Sequence, residues 1–273
     1  MNKLLIIGDI HLGTSRNSTT HPTVVRQANT QAEATLEKLI PHFNSLNFDL
    51  VVHMGDALRD TYDNVVDTKN LSRTLELLSG ISAPKIHLLG NHELRAFSRE
   101  KVLSIYRQYE PTICFQGSRQ LDGLTIAWLD LNLNDQDAAY LPESQLAQLP
   151  DIAANAQVVF SHYSLVPINA RGSFYFENQP AGMHYQNNKK IQESLKKSPA
   201  TLFINAHVHL LTHQIYRGKQ YISNPSFSEN IAAQMFTENN PGVYSILETN
   251  ETQFCFTTYS GDFCFGKIEG TLN

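Results

Sequence analysis

The chain has 273 residues, 41% of them hydrophobic and 17% charged, with a formal net charge of −5 and a pI near 6.1. That length and balance describe a soluble globular chain able to bury a sizeable core. The acidic balance argues against non-specific binding to nucleic-acid backbones or anionic membranes, although bound cations can reverse the sign of a local field.

Taken in order, Lys3 to Ile7 reads as a strand; Gly8 and Asp9 end its apolar run too early for a signal peptide. Pro22 to Leu46 carries apolar side chains at helical spacing, among them Val24, Ala28, Ala32, Leu36, Leu39 and Phe43. Asp49 to His53 is a second strand, Val65 to Leu78 a helix with Leu71, Leu75 and Leu78 on one face, and Pro84 to Leu89 a third strand. A helix follows around Arg99 to Tyr109, and Leu124 to Leu129, Gln157 to Ser161 and Thr201 to Asn205 are further strands. This alternation implies βαβ units with helices covering sheets. The last third differs: Leu211 to Tyr216 with Gln220 to Ser223, and Val243 to Glu248 with Gln253 to Tyr259, read as hairpins. No linker or repeat divides the chain, so one domain over 1–273 is expected, completed by the hairpins from about 210. Tyr163 to Asn188 lacks a regular pattern and is the expected functional loop or lid.

No apolar stretch approaches the ~20 residues that span a bilayer. Cys114, Cys255 and Cys264 form no CxxC pair and cannot all pair with one another, which fits a reducing, cytoplasmic compartment with all three as buried small apolar residues.

Five apolar runs end in residues able to bind metal. They lead into Gly8-Asp9-Ile10-His11, Gly55-Asp56, Gly90-Asn91-His92-Glu93, His162, and Ala206-His207-Val208-His209. In open α/β sheets ligands bind beyond the carboxyl ends of strands, so these ends can bring their polar residues to one rim. Carboxylate, amide and imidazole make a mixed O/N set suited to two divalent cations such as Mn, Fe or Zn. Residues two apart on extended chain project to one side, which pairs Asp9 with His11 and His207 with His209. Any one piece alone is an ordinary turn residue or buried histidine; the ordered set is what carries the reading.

At these residues the sequence resembles the calcineurin-like metallophosphoesterase superfamily, whose pattern is Asp-x-His, Gly-Asp, Gly-Asn-His-Asp/Glu, His and Gly-His-x-His. The match spans residues 9 to 209, and Asn224-Pro225-Ser226 is similar to a turn often seen after the last histidines. The resemblance implies an α/β fold, a β-sandwich of two mixed sheets flanked by helices, and a two-metal hydrolysis of phosphate esters. It implies that Asp9, His11, Asp56 and His209 hold one metal, and that Asp56, Asn91, His162 and His207 hold the other. His92 would be no ligand but would face the scissile phosphate. Glu93 is expected to cap the following helix. Two departures stand out. Ala206 replaces the usual Gly, and Arg59 occupies the position three after Asp56 where many members carry the Asp that supports the histidine; Asp60 is displaced by one.

Specificity is expected in the rim loops, where Arg16, Arg59, Arg95 and Arg171 are candidate phosphate clamps. Tyr163, Phe174, Tyr175, Phe176, His184 and Tyr185 are candidates for stacking on a base or sugar. A phosphodiesterase acting on a small or nucleotide-like ester is the favoured reading, with a phosphomonoesterase or protein phosphatase as runner-up and a non-catalytic scaffold as the alternative from another class. The phosphatase pattern Gly-Asp-x-x-Asp-Arg-Gly is not matched by Gly55-Asp56-Ala57-Leu58-Arg59-Asp60. No membrane partner is expected, and oligomeric state is left open.

Overall fold

The computed structural model describes residues 1–13, 23–169, 171, 175–229 and 242–272. The first half runs β1 (Asn2–Ile7), α1 (Thr23–Ser45), β2 (Leu50–His53), α2 (Asn64–Ser79), β3 (Lys85–His87), α3 (Asn91–Ala96) and α4 (Arg99–Tyr106). Then come β4 (Gly117–Leu121), β5 (Leu124–Trp128), the short pair β6 (Asn132–Leu133) and β7 (Ala139–Tyr140), α5 (Glu143–Leu146), α6 (Leu149–Ile152) and β8 (Val158–Ser161). A 3-10 turn at Pro180–Met183, α7 (Asn188–Ser194), β9 (Leu202–Asn205), β10 (Thr212–Tyr216), β11 (Lys219–Ser223), β12 (Val243–Thr249), β13 (Gln253–Ser260) and β14 (Phe263–Thr271) complete the order.

Among the described residues two six-stranded mixed sheets form, in the orders β14-β13-β12-β1-β2-β3 and β10-β11-β9-β8-β5-β4. The pleat explains how they stack. Successive strand residues point to opposite faces, so Leu4, Ile6, Leu50 and Val52 meet Ile126, Trp128, Phe160, Leu202 and Ile204 in an apolar layer between the sheets. Leu5, Ile7 and Val51 face outward onto Leu36 and Phe43 of α1 and Leu77 and Leu78 of α2. On the second sheet Ala127, Val159 and Phe203 face outward onto Leu146, Leu149, Ile191 and Leu195. The result is helix, sheet, sheet, helix. The strands that bury both faces are near-continuously apolar, as parallel strands in such sheets are.

The elements expected from sequence all form, with ends shifted by a few residues. Others were not anticipated: the short elements β6, β7, α5, α6 and α7, the 3-10 turn, and β4, β14 and α3. The strand β4 is polar and half exposed along GSRQL, β14 carries the unpatterned run FCFGKIEGT, and α3 is only six residues long. β14 forms because β13 offers it an antiparallel edge, from Gln253↔Thr271 to Ser260↔Phe263. The cysteines correct an expectation: Cys114 and Cys264 are exposed and Cys255 half-buried, all three free. No helix of the described residues is long and apolar enough to cross a membrane.

This topology fixes the site. β1, β2 and β3 run parallel in the first sheet, and β8 and β9 run parallel in the second. Their carboxyl ends open onto a common edge, where the loops continue to zip together. The Asp9 N–H donates to the Gly55 carbonyl at 2.9 Å, His11 N–H to Asp56 O at 3.0 Å, and Ala206 N–H to His162 O at 3.0 Å.

Candidate active site

The seven proposed metal ligands lie within one cluster, and none is more than 7% exposed. His11 Nε2 sits 3.1 Å from His209 Nε2, and His209 Nε2 lies 3.5 Å from Asp9 Oδ1. Asp56 Oδ2 stands 3.8 Å from His11 Nε2 and 3.3 Å from His162 Nε2, whose own Nε2 is 3.3 Å from Asn91 Oδ1. Ligand atoms of Asp9, His11 and His209 form one close group, and those of Asp56, His162 and His207 another. Asp56 lies centrally, in reach of both.

The backbone is bent to achieve this. Asp9, His11, Asp56, His207 and His209 all have φ between 48° and 66°, in the left-handed region. Such conformations cost non-glycine residues on the order of 1 kcal/mol or more each, and they persist only where the surroundings over-determine them. Here cross-loop hydrogen bonds do so. Gly55, at φ 96°, packs so closely on the next loop that a Cβ there would lie 2.6 Å from Gly90 N. Ala206 keeps a negative φ, so its methyl, in place of the usual Gly, is accommodated without strain.

Second-layer contacts set the imidazole tautomers. His162 Nδ1 lies 2.7 Å from the Met54 carbonyl, and a carbonyl only accepts, so Nδ1 carries the proton and Nε2 is free to ligate. By the same argument His207 donates from Nε2 to the Gly182 carbonyl at 3.0 Å, leaving Nδ1 for the cluster. Tyr163 stacks on His207 with ring centroids 3.8 Å apart.

The donor set fits two cations. Asp56 Oδ2 is buried without a well-directed hydrogen bond, at the point where the Nε2 atoms of His11 and His162 converge on it. Unpaired buried polar atoms are costly, and convergent ones are resolved by a shared positive charge. Burial pushes His11 and His207 well below the ordinary imidazole pKa, which keeps them in the neutral form that binds metal. Burial also opposes charge on Asp56, but His162 and His92 beside it outweigh that and hold the carboxylate ionised.

His92 lies at the edge of this cluster. Its Nε2 is 4.0 Å from Asp56 Oδ2 and its ring meets His11 edge-on at 4.6 Å. Its Nδ1 hydrogen-bonds Asp60 Oδ1, so the displaced Asp60 reaches the histidine although Arg59 occupies the usual position. Glu93, fully buried, does more than cap α3. Its carboxylate accepts from the backbone N–H of Ala57 (2.7 Å), Gly90 (3.0 Å) and Asp56 (3.2 Å), stapling the loops after β2 and β3 together. Burial lifts its pKa to about 7, with the charge of Asp56 adding to the rise.

The arginine candidates fare differently. Arg59 is buried and ion-paired with Glu229 at 3.1 Å, and Arg95 pairs with Asp137; both line the cavity beside the cluster already partnered. Arg171 is exposed and does not line that cavity. Arg16 and Phe174 lie outside the described residues. Tyr163, Tyr175, Phe176 and His184 line the cavity, whereas Tyr185 is fully buried with its hydroxyl donating to the Asp130 carbonyl. Asp130 itself is structural, accepting from Arg99, Gln145 and the Leu131 N–H.

Glu229 was not foreseen. It is fully buried and accepts from Asn29 Nδ2 (2.7 Å), Arg59 Nη1 (3.1 Å) and the Tyr175 hydroxyl (2.9 Å), with Oε2 3.5 Å from His209 Nδ1. Burial opposes its charge, but His11, Arg59 and His209 outweigh that and hold it below the usual carboxylate range. Its only sequence signal is its place just after Asn224-Pro225-Ser226. The fold brings that segment to β1, where Phe227 N–H donates to Gly8 O and Ser226 Oγ to Asp9 O.

Residues 2–211 match the family described as calcineurin-like phosphoesterase. No curated protein matches the sequence. Among solved structures, a dimetal phosphatase from Danio rerio superposes with a TM-score of 0.74 at 14% identity, covering 100% of this chain and 99% of that one. A purple acid phosphatase from yellow lupin (Lupinus luteus) seeds gives 0.61 at 12% identity, over 98% of this chain and 53% of its own. The phosphopantetheinyl hydrolase of Mycobacterium tuberculosis gives 0.56 at 14%, over 86% and 93%. At these identities the neighbours show the fold, the two-sheet sandwich between helices. With the family match covering most of its length and its His/Asp clusters fitting a binuclear site, the chain belongs to the calcineurin-like phosphoesterases and is a metal-dependent phosphoric ester hydrolase.

Proposed function

We propose that the chain is a single-domain phosphodiesterase acting on a small, nucleotide-like ester. The observation that carries this is the cavity beside the ligand cluster. It measures about 630 Å³, within the roughly 300–1,000 Å³ range of small-molecule sites, and one wall is aromatic. Tyr163, Tyr175 and Phe176 stand on that wall, with Gln136, Gln179 and Gln186 around it. A phosphate bound at His92 and Asn91 would leave its organic substituent against rings and amides, which suits a base or sugar rather than a bare monoester.

In this reading Asp9, His11, Asp56 and His209 would hold one cation and Asp56, Asn91, His162 and His207 the other, with Asp56 common to both sets. The mixed O/N donors suit Mn, Fe or Zn. When bound, two such cations activate water near neutral pH and offset charge on phosphate oxygens. The chain's own residues do the rest. Asp60 accepts from Nδ1–H of His92 and its carboxylate supports the imidazolium form, in which Nε2–H faces the phosphate and can deliver its proton to the leaving oxygen. Glu93 and the Gly55–Gly90 contact fix the backbone that aims Asp56. The Gly182 carbonyl, in the long loop, accepts the His207 Nε2–H hydrogen bond and ties that loop to the ligand set, while Tyr163 and Phe176 cover His207 on that side. Free cysteines, two of them exposed, support a reducing, cytoplasmic setting.

The test is a panel of aryl monoesters, aryl diesters, cyclic nucleotides and nucleotide diesters, assayed with Mn, Fe and Zn after chelation. Diesters should lead in kcat/KM, and chelated enzyme should be inactive until metal returns. A consistent preference for monoesters would overturn the diester reading. Full activity in metal-free protein would overturn the two-metal reading.

A further inference from the structure

A second cleft lies on the outer face of the second sheet, between α7 and the β10–β11 hairpin. It measures about 640 Å³ and shares no lining residue with the cavity at the metal ligands. We propose that this cleft is a separate binding site for a nucleoside phosphate, with an aromatic floor for the ring and unpaired cations for the phosphate.

The floor is built by sheet register. Phe203 and Tyr221 are direct partners on parallel strands, and their rings stack at 4.9 Å and 17°. Tyr216 meets Tyr221 edge-on at 6.4 Å and is 37% exposed, so it is the accessible ring of the three. The cations come from both walls. Lys219 Nζ lies 5.2 Å from the centre of the Phe203 ring, Arg217 lies 5.1 Å over Tyr216, and Lys189 stands exposed on α7. Among the described residues none of these three pairs with a carboxylate. The acidic side chain on the lining, Glu193, is already held by Lys196 at 3.1 Å. An excess of positive charge in one concavity of an acidic protein draws an anion.

The hairpin turn points the same way. Arg217 and Gly218 both have positive φ, 51° and 75°, in the two-residue connection between β10 and β11. Such turns are dominated by Asn, Asp and Gly, so an Arg there sits in a disfavoured backbone conformation. The turn lays the Arg217 guanidinium over the Tyr216 ring on the lining of the cleft, within reach of a ligand bound there. Lys219 is half-buried, and burial lowers its pKa; a phosphate would supply the counter-charge that the protein does not.

The experiment is isothermal titration of metal-loaded full-length protein with α,β-methylene-ADP, which resists hydrolysis. Inorganic phosphate and an oligoglutamate peptide serve as comparison probes. Binding at this cleft should weaken by at least about tenfold in the double variant Arg217→Glu/Lys219→Glu and by about threefold in Tyr216→Ala. It should be unchanged in His92→Ala. The double variant should melt at the wild-type temperature and hydrolyse an aryl phosphate at the wild-type rate, separating this site from the catalytic one. Binding unaffected by the double variant, or lost in His92→Ala, would overturn the proposal. So would phosphate or oligoglutamate binding as tightly as the nucleotide.

Discussion

Replacing Asp60, first by Asn and then by Ala, measures how much of the catalysis runs through the orientation of His92. The Asp60 and His92 side chains are only 7% and 10% exposed, so solvent screens their hydrogen bond little. Burial raises the Asp60 pKa, but the hydrogen bond and charge of His92 outweigh it and hold the carboxyl ionised. A hydrogen bond to a charged group contributes about 1.5–3 kcal/mol and a neutral one about 0.5–1.5 kcal/mol. Asn keeps an acceptor but no charge, so it should forfeit about 1–1.5 kcal/mol, a fall in kcat of about five- to twelvefold. Ala removes the partner and should cost about 1.5–3 kcal/mol, or roughly 12- to 160-fold. Asp60 is outside the converging donor set, so metal content by elemental analysis should stay at the wild-type value. Turnover of an aryl diester supplies the rate. In a His92→Ala background the Asp60→Ala change should add almost nothing, because both remove one function. Wild-type kcat in Asp60→Asn, additive losses in the double variant, or metal loss in Asp60→Ala would each refute a positioning role for this carboxylate.

Three further outcomes follow from the buried groups. Glu93→Gln turns one of the oxygens receiving the Asp56, Ala57 and Gly90 N–H groups into a donor, so thermal stability should fall by about 1–3 kcal/mol and metal affinity should drop with it, read by melting and metal titration. Gly90→Ala would drive its Cβ into the Asp56 carboxylate, and overpacking of about 1–3 kcal/mol should appear as lost metal at an otherwise folded site, judged by elemental analysis beside circular dichroism. His53 is fully buried against His87, and burial lowers its pKa to about 3 from an ordinary 6.5. Because the folded value lies below the unfolded one, its contribution is complete above pH 6.5 and is lost as pH falls from 6.5 toward 3. The loss is at most about 1.4 kcal/mol per pH unit. A His53→Leu variant should therefore lose less melting temperature than wild type between pH 7 and pH 5; parallel curves would dismiss the assignment.

Much of the molecule is determined by sequence alone. The apolar runs with Gly-Asp, Gly-Asn-His and His-x-His at their ends specify both the strands and the order of the donors, because a parallel strand buried on two faces reads as continuous Val, Ile and Leu. β4 and β14 escape that logic: one is polar and the other unpatterned, and each is a strand because a neighbour supplies its hydrogen bonds. The site divides along the same line. Asp56 and His209 announce themselves by local motif, but Asp60 reaches His92 only through the left-handed turn at Asp56 and the bonds that follow it. Glu229 meets Arg59, 170 residues away in the chain, only after the segment beyond β11 pairs with the end of β1. Local pattern can name residues whose chemistry is carried by their own spacing. It cannot name a partner whose only qualification is where two sheets happen to bring it, since that position is decided by packing and long-range pairing.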